Sequence, residues 1–224
     1  MKKTIVILFL LLCSTISIAH MGHYNKYNKI EMEIFRNGEL IGYNYYFFSR
    51  KGDETIVTNQ IKFSVKLLGA TIFQVEGFGE EKYIKNQLIS YNSKTLQNDK
   101  KKFVNLVFDK NKFDIRGSSF SGEASINNIV GNWWNHKILQ TDSQISPISG
   151  SIKKQIVTFV GKEKIEQYGK VYNVDRFTLK SKDTTLPKDK RLDFNIWYDQ
   201  ENLQIIKISY SRMGNWEYRL KSFE

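Results

Sequence analysis

Apolar and polar residues alternate with a period of two along most of this chain. Ile30, Met32 and Ile34 are separated by Glu31 and Glu33; Ile61, Phe63, Val65 and Leu67 by Lys62, Ser64 and Lys66. Leu192, Phe194 and Ile196 alternate with Asp193 and Asn195, Ile206, Ile208 and Tyr210 with Lys207 and Ser209, and Trp216, Tyr218 and Leu220 with Glu217 and Arg219. Successive side chains of a strand point to opposite faces, so each segment has one apolar and one wet face. Turn residues recur between the segments. Asn37-Gly38 is the strongest short hairpin signal, because both residues tolerate positive φ. Lys51-Gly52-Asp53, Gly169 and Met213-Gly214-Asn215 mark others. One-faced strands belong to antiparallel sheets, which must curl or close to bury that face. The expected fold is all-β: a single large antiparallel curved sheet, or an open barrel or half-barrel, of about twelve strands.

The middle of the chain breaks the pattern. Val130, Trp134 and Ile138 recur at helical spacing, which predicts a short helix or helical turn near residues 129–139. Thr141 to Ser151 is a polar stretch with Pro147 and Gly150, read as a linker or mobile flap.

The amino terminus has the three parts of an export signal. Lys2 and Lys3 are followed by an uncharged apolar run from Thr4, and Ser17-Ile18-Ala19 supplies small residues at a cleavage site. The run is shorter than the ~18–20 residues that span a bilayer. Residues 1–19 are therefore expected to be a cleaved signal peptide and residues 20–224 a single all-β domain, exported and most readily placed in the periplasm. Leu12 before Cys13 speaks against a lipid-modified cysteine.

Cleavage removes Lys2, Lys3 and Cys13, so the net charge falls from +11 to +9 and no cysteine remains. Thiol catalysis, thiolate zinc and iron–sulfur clusters are then excluded, and no cofactor is expected. The charge is mostly lysine, 27 Lys against 7 Arg, and it is scattered. Nucleic-acid readers favour the planar arginine fork, so nucleic acid is not an expected partner. Weak contact with an anionic membrane surface is compatible with this balance.

Candidate chemistry is sparse. His20 at the new terminus and His23 could contribute to a copper site, but their spacing misses the amino-terminal copper motif, and no metal site is expected. His136 is the only other histidine, and it follows Trp133-Trp134-Asn135; the simplest reading is an aromatic plug closing one end of the sheet, with Asn135 capping a turn. Glu80 and Glu81 are adjacent on a strand and point to opposite faces, so they cannot share a substrate. No catalytic residue is assigned. The candidate ligand-binding set, on the concave apolar face of the sheet, is Trp133, Trp134, Tyr45, Phe47 and Trp197, with the Trp133-Trp134 segment and the Thr141 to Ser151 loop near its mouth.

Several short motifs add a resemblance. The hairpin Asn37-Gly38-Glu39-Leu40-Ile41-Gly42 is followed by the aromatic strand Tyr43 to Phe48. Trp134-Asn135 stands mid-chain and Trp197-Tyr198-Asp199 ends a late strand. With the export signal, these make the chain similar to an uncharacterised family of secreted proteobacterial all-β proteins, a domain of unknown function. More loosely it resembles exported single-sheet proteins that curl around lipid chains. The resemblance implies fold and location and carries no catalytic residues.

The function expected from these readings is non-enzymatic binding of an apolar or lipid-like ligand on the curved sheet. An integral outer-membrane β-barrel is the alternative, since it shows the same alternation and Trp216 to Phe223 resembles a terminal aromatic strand. A secreted hydrolase is the second alternative.

Overall fold

Strand follows strand with almost no helix between them. The computed structural model describes Tyr24 and residues 26–224; the segment expected to be a signal peptide, His20 and His23 lie outside the described residues. Eight strands run first: β1 (Lys29–Arg36), β2 (Glu39–Lys51), β3 (Glu54–Leu67), β4 (Ala70–Ile84), β5 (Gln87–Gln97), β6 (Lys100–Asp109), β7 (Lys112–Gly117) and β8 (Ser121–Ser125). Two short ones, β9 (Ile129–Val130) and β10 (Ser143–Ile145), flank a 3-10 turn at His136–Leu139. Then come β11 (Ile152–Gln167), β12 (Lys170–Ser181), β13 (Asp193–Asp199), β14 (Gln204–Ser211) and β15 (Asn215–Phe223).

All fifteen strands belong to one sheet, in the order β8-β7-β6-β5-β4-β3-β2-β1-β15-β14-β13-β12-β11-β10-β9. The chain is an antiparallel meander from each edge, joined in the middle where β1 pairs β15, with Met32 opposite Leu220 and Ile34 opposite Tyr218. Only β9 and β10 pair in parallel. The sheet is not closed by strand pairing. Yet its edge strands β8 and β9 are separated in sequence by residues 126–128 alone, so the curl brings the two edges face to face. Loop contacts stitch them: Ser119 donates its backbone N–H to the Ser149 carbonyl at 3.0 Å.

The alternation of the sequence becomes the inside and outside of this curl. Ile30, Met32, Ile34, Tyr46, Val57, Leu106, Ile115, Ile196, Ile208 and Leu220 face inward and are buried. Outward positions carry ion pairs, such as Lys62 with Glu76 at 3.1 Å and Lys207 with Glu217 at 2.6 Å. Asn37 and Gly38 form the first hairpin turn with φ of 51° and 84°. Asp199 opens a turn: its carboxylate accepts from the Glu201 N–H at 3.0 Å and from Asn202 Nδ2 at 2.7 Å.

Three strands beyond the expected twelve are β8, β9 and β10; β9 and β10 are too short for a period to register, and β8 has Ala124 as its one apolar side chain. The short helix or helical turn expected near residues 129–139 is the 3-10 turn at His136–Leu139, preceded by the short strand β9 and a turn. Val130, Trp134 and Ile138 are all buried. A segment enclosed by a curled sheet is covered on every side and needs no helix to bury residues at that spacing. Asn135 does cap the turn, its Oδ1 accepting from the Lys137 N–H at 3.1 Å. The 141–151 stretch, read as a linker or mobile flap, is instead packed into the sheet: it holds β10 and buries Gln144, Ile145, Ser149 and Gly150.

One inward position is a glycine for a specific reason. A Cβ at Gly42 would lie 2.1 Å from the Lys62 carbonyl oxygen and 2.5 Å from Phe63 Cβ. Gly42→Ala is therefore expected to cost about 1–3 kcal/mol through overpacking against backbone. An unchanged denaturation midpoint would show that the strands do not approach this closely.

Candidate functional site

The curled sheet has two unlike ends. The β2–β3, β4–β5, β11–β12 and β13–β14 connections lie at one end with Tyr24 and residues 26–28, and there the interior is filled. Trp134 is the largest side chain in this plug. Tyr24, Phe48 and Tyr83 meet its ring edge-on at centroid distances of 5.0, 5.4 and 6.0 Å. Tyr24 stacks on Phe48, and its hydroxyl is hydrogen-bonded to His136 Nδ1 at 2.8 Å while accepting from the His136 N–H at 3.0 Å. Arg50 ties this corner down by donating to the carbonyls of Tyr24 and Tyr27, both at 2.6 Å. The plug expected around His136 is thus what the structure contains.

A carboxylate is buried beside the plug. Glu81, 2% exposed on β4, accepts from Tyr83 Oη at 2.5 Å, Asn132 Nδ2 at 2.6 Å and Trp134 Nε1 at 2.8 Å. Burial raises its pKa above the ordinary carboxylate value, and the three donors pull it down without reversing that direction. Glu81 does not line a cavity; it fastens the 131–139 segment to the wall.

At the other end, where the β1–β2, β3–β4, β5–β6, β12–β13 and β14–β15 connections lie, the interior is hollow. Two adjoining cavities of about 650 and 580 Å³ share Trp133, Arg191, Leu192, Phe194, Arg212 and Tyr218 in their walls. Pockets of this size take small-molecule ligands. Rings line one side: Trp133 meets Phe194 edge-on at 5.1 Å, Phe194 meets Tyr210 at 5.3 Å, and Tyr210 stacks on Trp216 at 5.7 Å. On the other side the polar atoms are largely engaged within the protein. Tyr46 Oη accepts from Asn44 Nδ2 at 2.8 Å and from the Trp133 N–H at 3.2 Å. Tyr91 Oη and Ser93 Oγ both donate to the Pro147 carbonyl, at 2.9 and 2.7 Å. Gln144 donates to Gln155 at 2.6 Å.

The rim is cationic. Lys102, Lys153, Lys180, Lys188, Lys190, Arg191 and Arg212 line the two cavities against two carboxylates, Asp189 and Asp193. The arginines are braced: Arg191 Nε donates to the Leu186 carbonyl at 2.6 Å, and Arg212 donates to the Arg191 carbonyl at 3.0 Å. Among the described residues, no group of three or more His, Cys, Asp or Glu side chains converges.

The structure splits the sequence-derived candidates. Trp133 lines both cavities. Trp134 is in the plug, 1% exposed, and reaches neither. Tyr45 and Phe47 face outward, with Lys29 Nζ over both rings at 5.3 and 5.5 Å. The reason is a bulge. Counted straight back from the Asn37-Gly38 turn, Tyr45 would oppose the inward Ile30. The register shifts between Ile34 and Phe35, Tyr46 takes that place, and the face of every later β2 residue flips. Trp197 also faces outward: its Nε1 donates to Glu163, and Arg176 and Lys207 lie over its ring at 5.3 and 5.1 Å. The alternation of Phe194 and Ile196 already implied this. Phe194, Tyr210 and Tyr218 were readable as inward from their alternation, whereas nothing in the sequence brings Arg191 and Arg212 to one rim.

A family model of a domain of unknown function, DUF6134, matches residues 32–221, nearly the whole chain. The chain belongs to this family. No curated protein matches it. Among solved structures, this DUF6134 protein is similar to a β-barrel-like protein of domain of unknown function DUF1849 from Brucella abortus. That match has 8% identity and a TM-score of 0.57, covering 88% of this chain and 95% of that one. A DUF1329 family protein from Desulfovibrio piger matches over 92% of this chain and 89% of its own, at 11% identity and a TM-score of 0.24. The first likeness supports the β-barrel-like fold.

Proposed function

We propose that this DUF6134 protein is an exported, non-enzymatic binding protein that takes the apolar part of an amphipathic anion, such as a fatty acid, into the hollow end of the sheet. The observation that carries this reading is the pairing of ring faces inside, Trp133, Phe194 and Tyr218, with a rim of seven cations against two carboxylates. Each buried CH₂ of a ligand contributes about 0.8 kcal/mol, and a charge-assisted contact at the rim is about twice as strong as a neutral one. The rim cations narrow the sequence-based expectation of an apolar or lipid-like ligand to one with an anionic head. Export to the periplasm rests on the Ser17-Ile18-Ala19 signal.

Titration with an environment-sensitive fluorescent fatty acid and its methyl ester tests the reading. Saturable binding is expected, with the acid tighter than the ester. Trp133→Ala should weaken both by about tenfold, the equivalent of ~1.4 kcal/mol, and Arg191→Ala with Arg212→Ala should remove the preference for the acid. Absence of saturable binding to folded protein would overturn it.

The integral-barrel alternative asks for an apolar band around the outside of the sheet. The outward face carries ion pairs such as Lys62–Glu76 and Lys207–Glu217 among exposed apolar side chains such as Ile72 and Phe78, a mixed surface rather than such a band. The hydrolase alternative finds little support, because the best-shielded carboxylate, Glu81, is held by three donors away from the cavities.

A further inference from the structure

The hairpin tips around the hollow end hold residues that neither turn chemistry nor packing explains. Leu68 sits at the β3–β4 turn with φ of 49° and is fully exposed. A left-handed backbone is unfavourable for leucine, and such turns favour Asn, Asp or Gly. Asn37, Asn86, Asn98 and Asn111 meet that preference at positive φ; Lys85, Lys110, Tyr168 and Leu203 depart from it, but the apolar ones among these, Tyr168 and Leu203, are far less exposed than Leu68. Met213 repeats the oddity at the β14–β15 turn, with φ of 50° and 84% exposure. The two tips flank the β1–β2 tip, since their hairpins are consecutive in the sheet. Arg36 Nε donates to the Met213 carbonyl at 3.1 Å and Asn37 donates its N–H to the Asn215 carbonyl at 2.7 Å, which holds the β14–β15 tip in place.

The β3–β4 tip also projects. Pairing of β3 with β2 ends at Phe63, and pairing of β4 with β5 ends at Val75. The rungs from Val65–Phe73 to Leu67–Ala70 therefore lie past the paired stretches of both neighbouring strands, with the turn at their far end exposed. Leu67 and Ile72 are exposed on this projection, next to Lys66. Other connections at the same end add Lys100 and Lys101, Lys188 and Lys190, and Arg212.

From these features we infer that the hollow end docks on an anionic lipid bilayer, with Leu68 and Met213 entering the acyl boundary and the surrounding cations meeting the headgroups. Exposed aliphatic tips ringed by lysine match the two layers such a surface presents. The backbone strain at Leu68 is then retained for an interaction outside the fold. The orientation directs the cavity mouth at the membrane, but the inference does not depend on what the cavity holds.

Vesicle flotation of the purified protein tests it, using phosphatidylcholine vesicles and vesicles in which part of that lipid is phosphatidylglycerol. Leu68→Asn and Met213→Asn suit the turns better than the native residues, so folding is preserved. Flotation is expected with the anionic vesicles, to fall as salt rises, and to weaken about tenfold or more in the double variant at an unchanged or raised melting temperature. Three results would overturn the inference: no flotation of the wild type, flotation unaffected by the double variant, or a sedimentation velocity showing a dimer that the double variant dissociates. The last would assign the tips to a second copy of the chain. Because binding is read on vesicles without added ligand, failure here leaves the fatty-acid titration standing, and the reverse holds.

Discussion

Glu81→Ala is expected to lower stability by about 3–5 kcal/mol, more than any other polar substitution in the chain. The carboxylate is the acceptor for Tyr83 Oη, Asn132 Nδ2 and Trp134 Nε1. Removing it leaves buried donors unpaired, each costing about 1–3 kcal/mol. Glu81→Gln keeps the volume but offers one acceptor oxygen and turns an N–H₂ group toward other donors, so it should be nearly as costly. The loss depends on pH with a definite sign. A carboxyl whose pKa is raised by folding contributes stability that is fully present below its unfolded value, about 4.3, and lost as pH rises through the folded value. The deficit of Glu81→Gln, which does not titrate, should therefore be largest in mild acid and shrink toward neutral pH. Denaturant unfolding of both proteins across a pH series measures this; a deficit that grows with pH would show that the donors outweigh desolvation.

Trp134→Ala is expected to cost about 3–5 kcal/mol, the range for deleting a large aromatic core side chain. Tyr24, Phe48 and Tyr83 all pack on its ring, and its Nε1 holds Glu81. The two substitutions share one network, so their double variant should cost less than the sum. Calorimetric melting decides the matter: a shift of only a degree or two would mean that the plug is held elsewhere. The adjacent Trp133→Ala should behave in the opposite way, weakening ligand with a small stability change, because Trp133 is only half-buried and lines the cavities.

What was legible in the sequence follows from period. Ile30-Met32-Ile34 and Trp216-Tyr218-Leu220 alternate cleanly, and both segments are strands with those residues inward. Asn37-Gly38 announced its turn through chemistry that few other residues supply. Period says nothing where both faces are apolar. Tyr43 to Phe48 is such a run, and one bulged residue at Ile41 decides which of its rings point inward. Period also fails below about four residues, which hid β9 and β10. The helical spacing of Val130, Trp134 and Ile138 located the helical turn but not its extent, because burial on all sides imitates one face of a longer helix. The Glu81 site was half visible. The sequence places Glu81 and Tyr83 on one face of a strand, but Asn132 and Trp134 reach them only because the curl folds a segment fifty residues later inside it. The cationic rim was invisible for the same reason, since Lys102, Lys153, Arg191 and Arg212 come together only through the closing of the sheet.

That the hollow end holds the apolar part of an amphipathic anion can be read directly by anomalous diffraction from crystals grown with a fatty acid brominated in mid-chain. A single bromine peak is expected inside the sheet, among Trp133, Phe194 and Tyr218, with the carboxylate toward Arg191 and Arg212. A bromine found instead on the outer groove formed by Phe78, Leu96 and Phe103, or no bound bromine at saturating ligand, would contradict it.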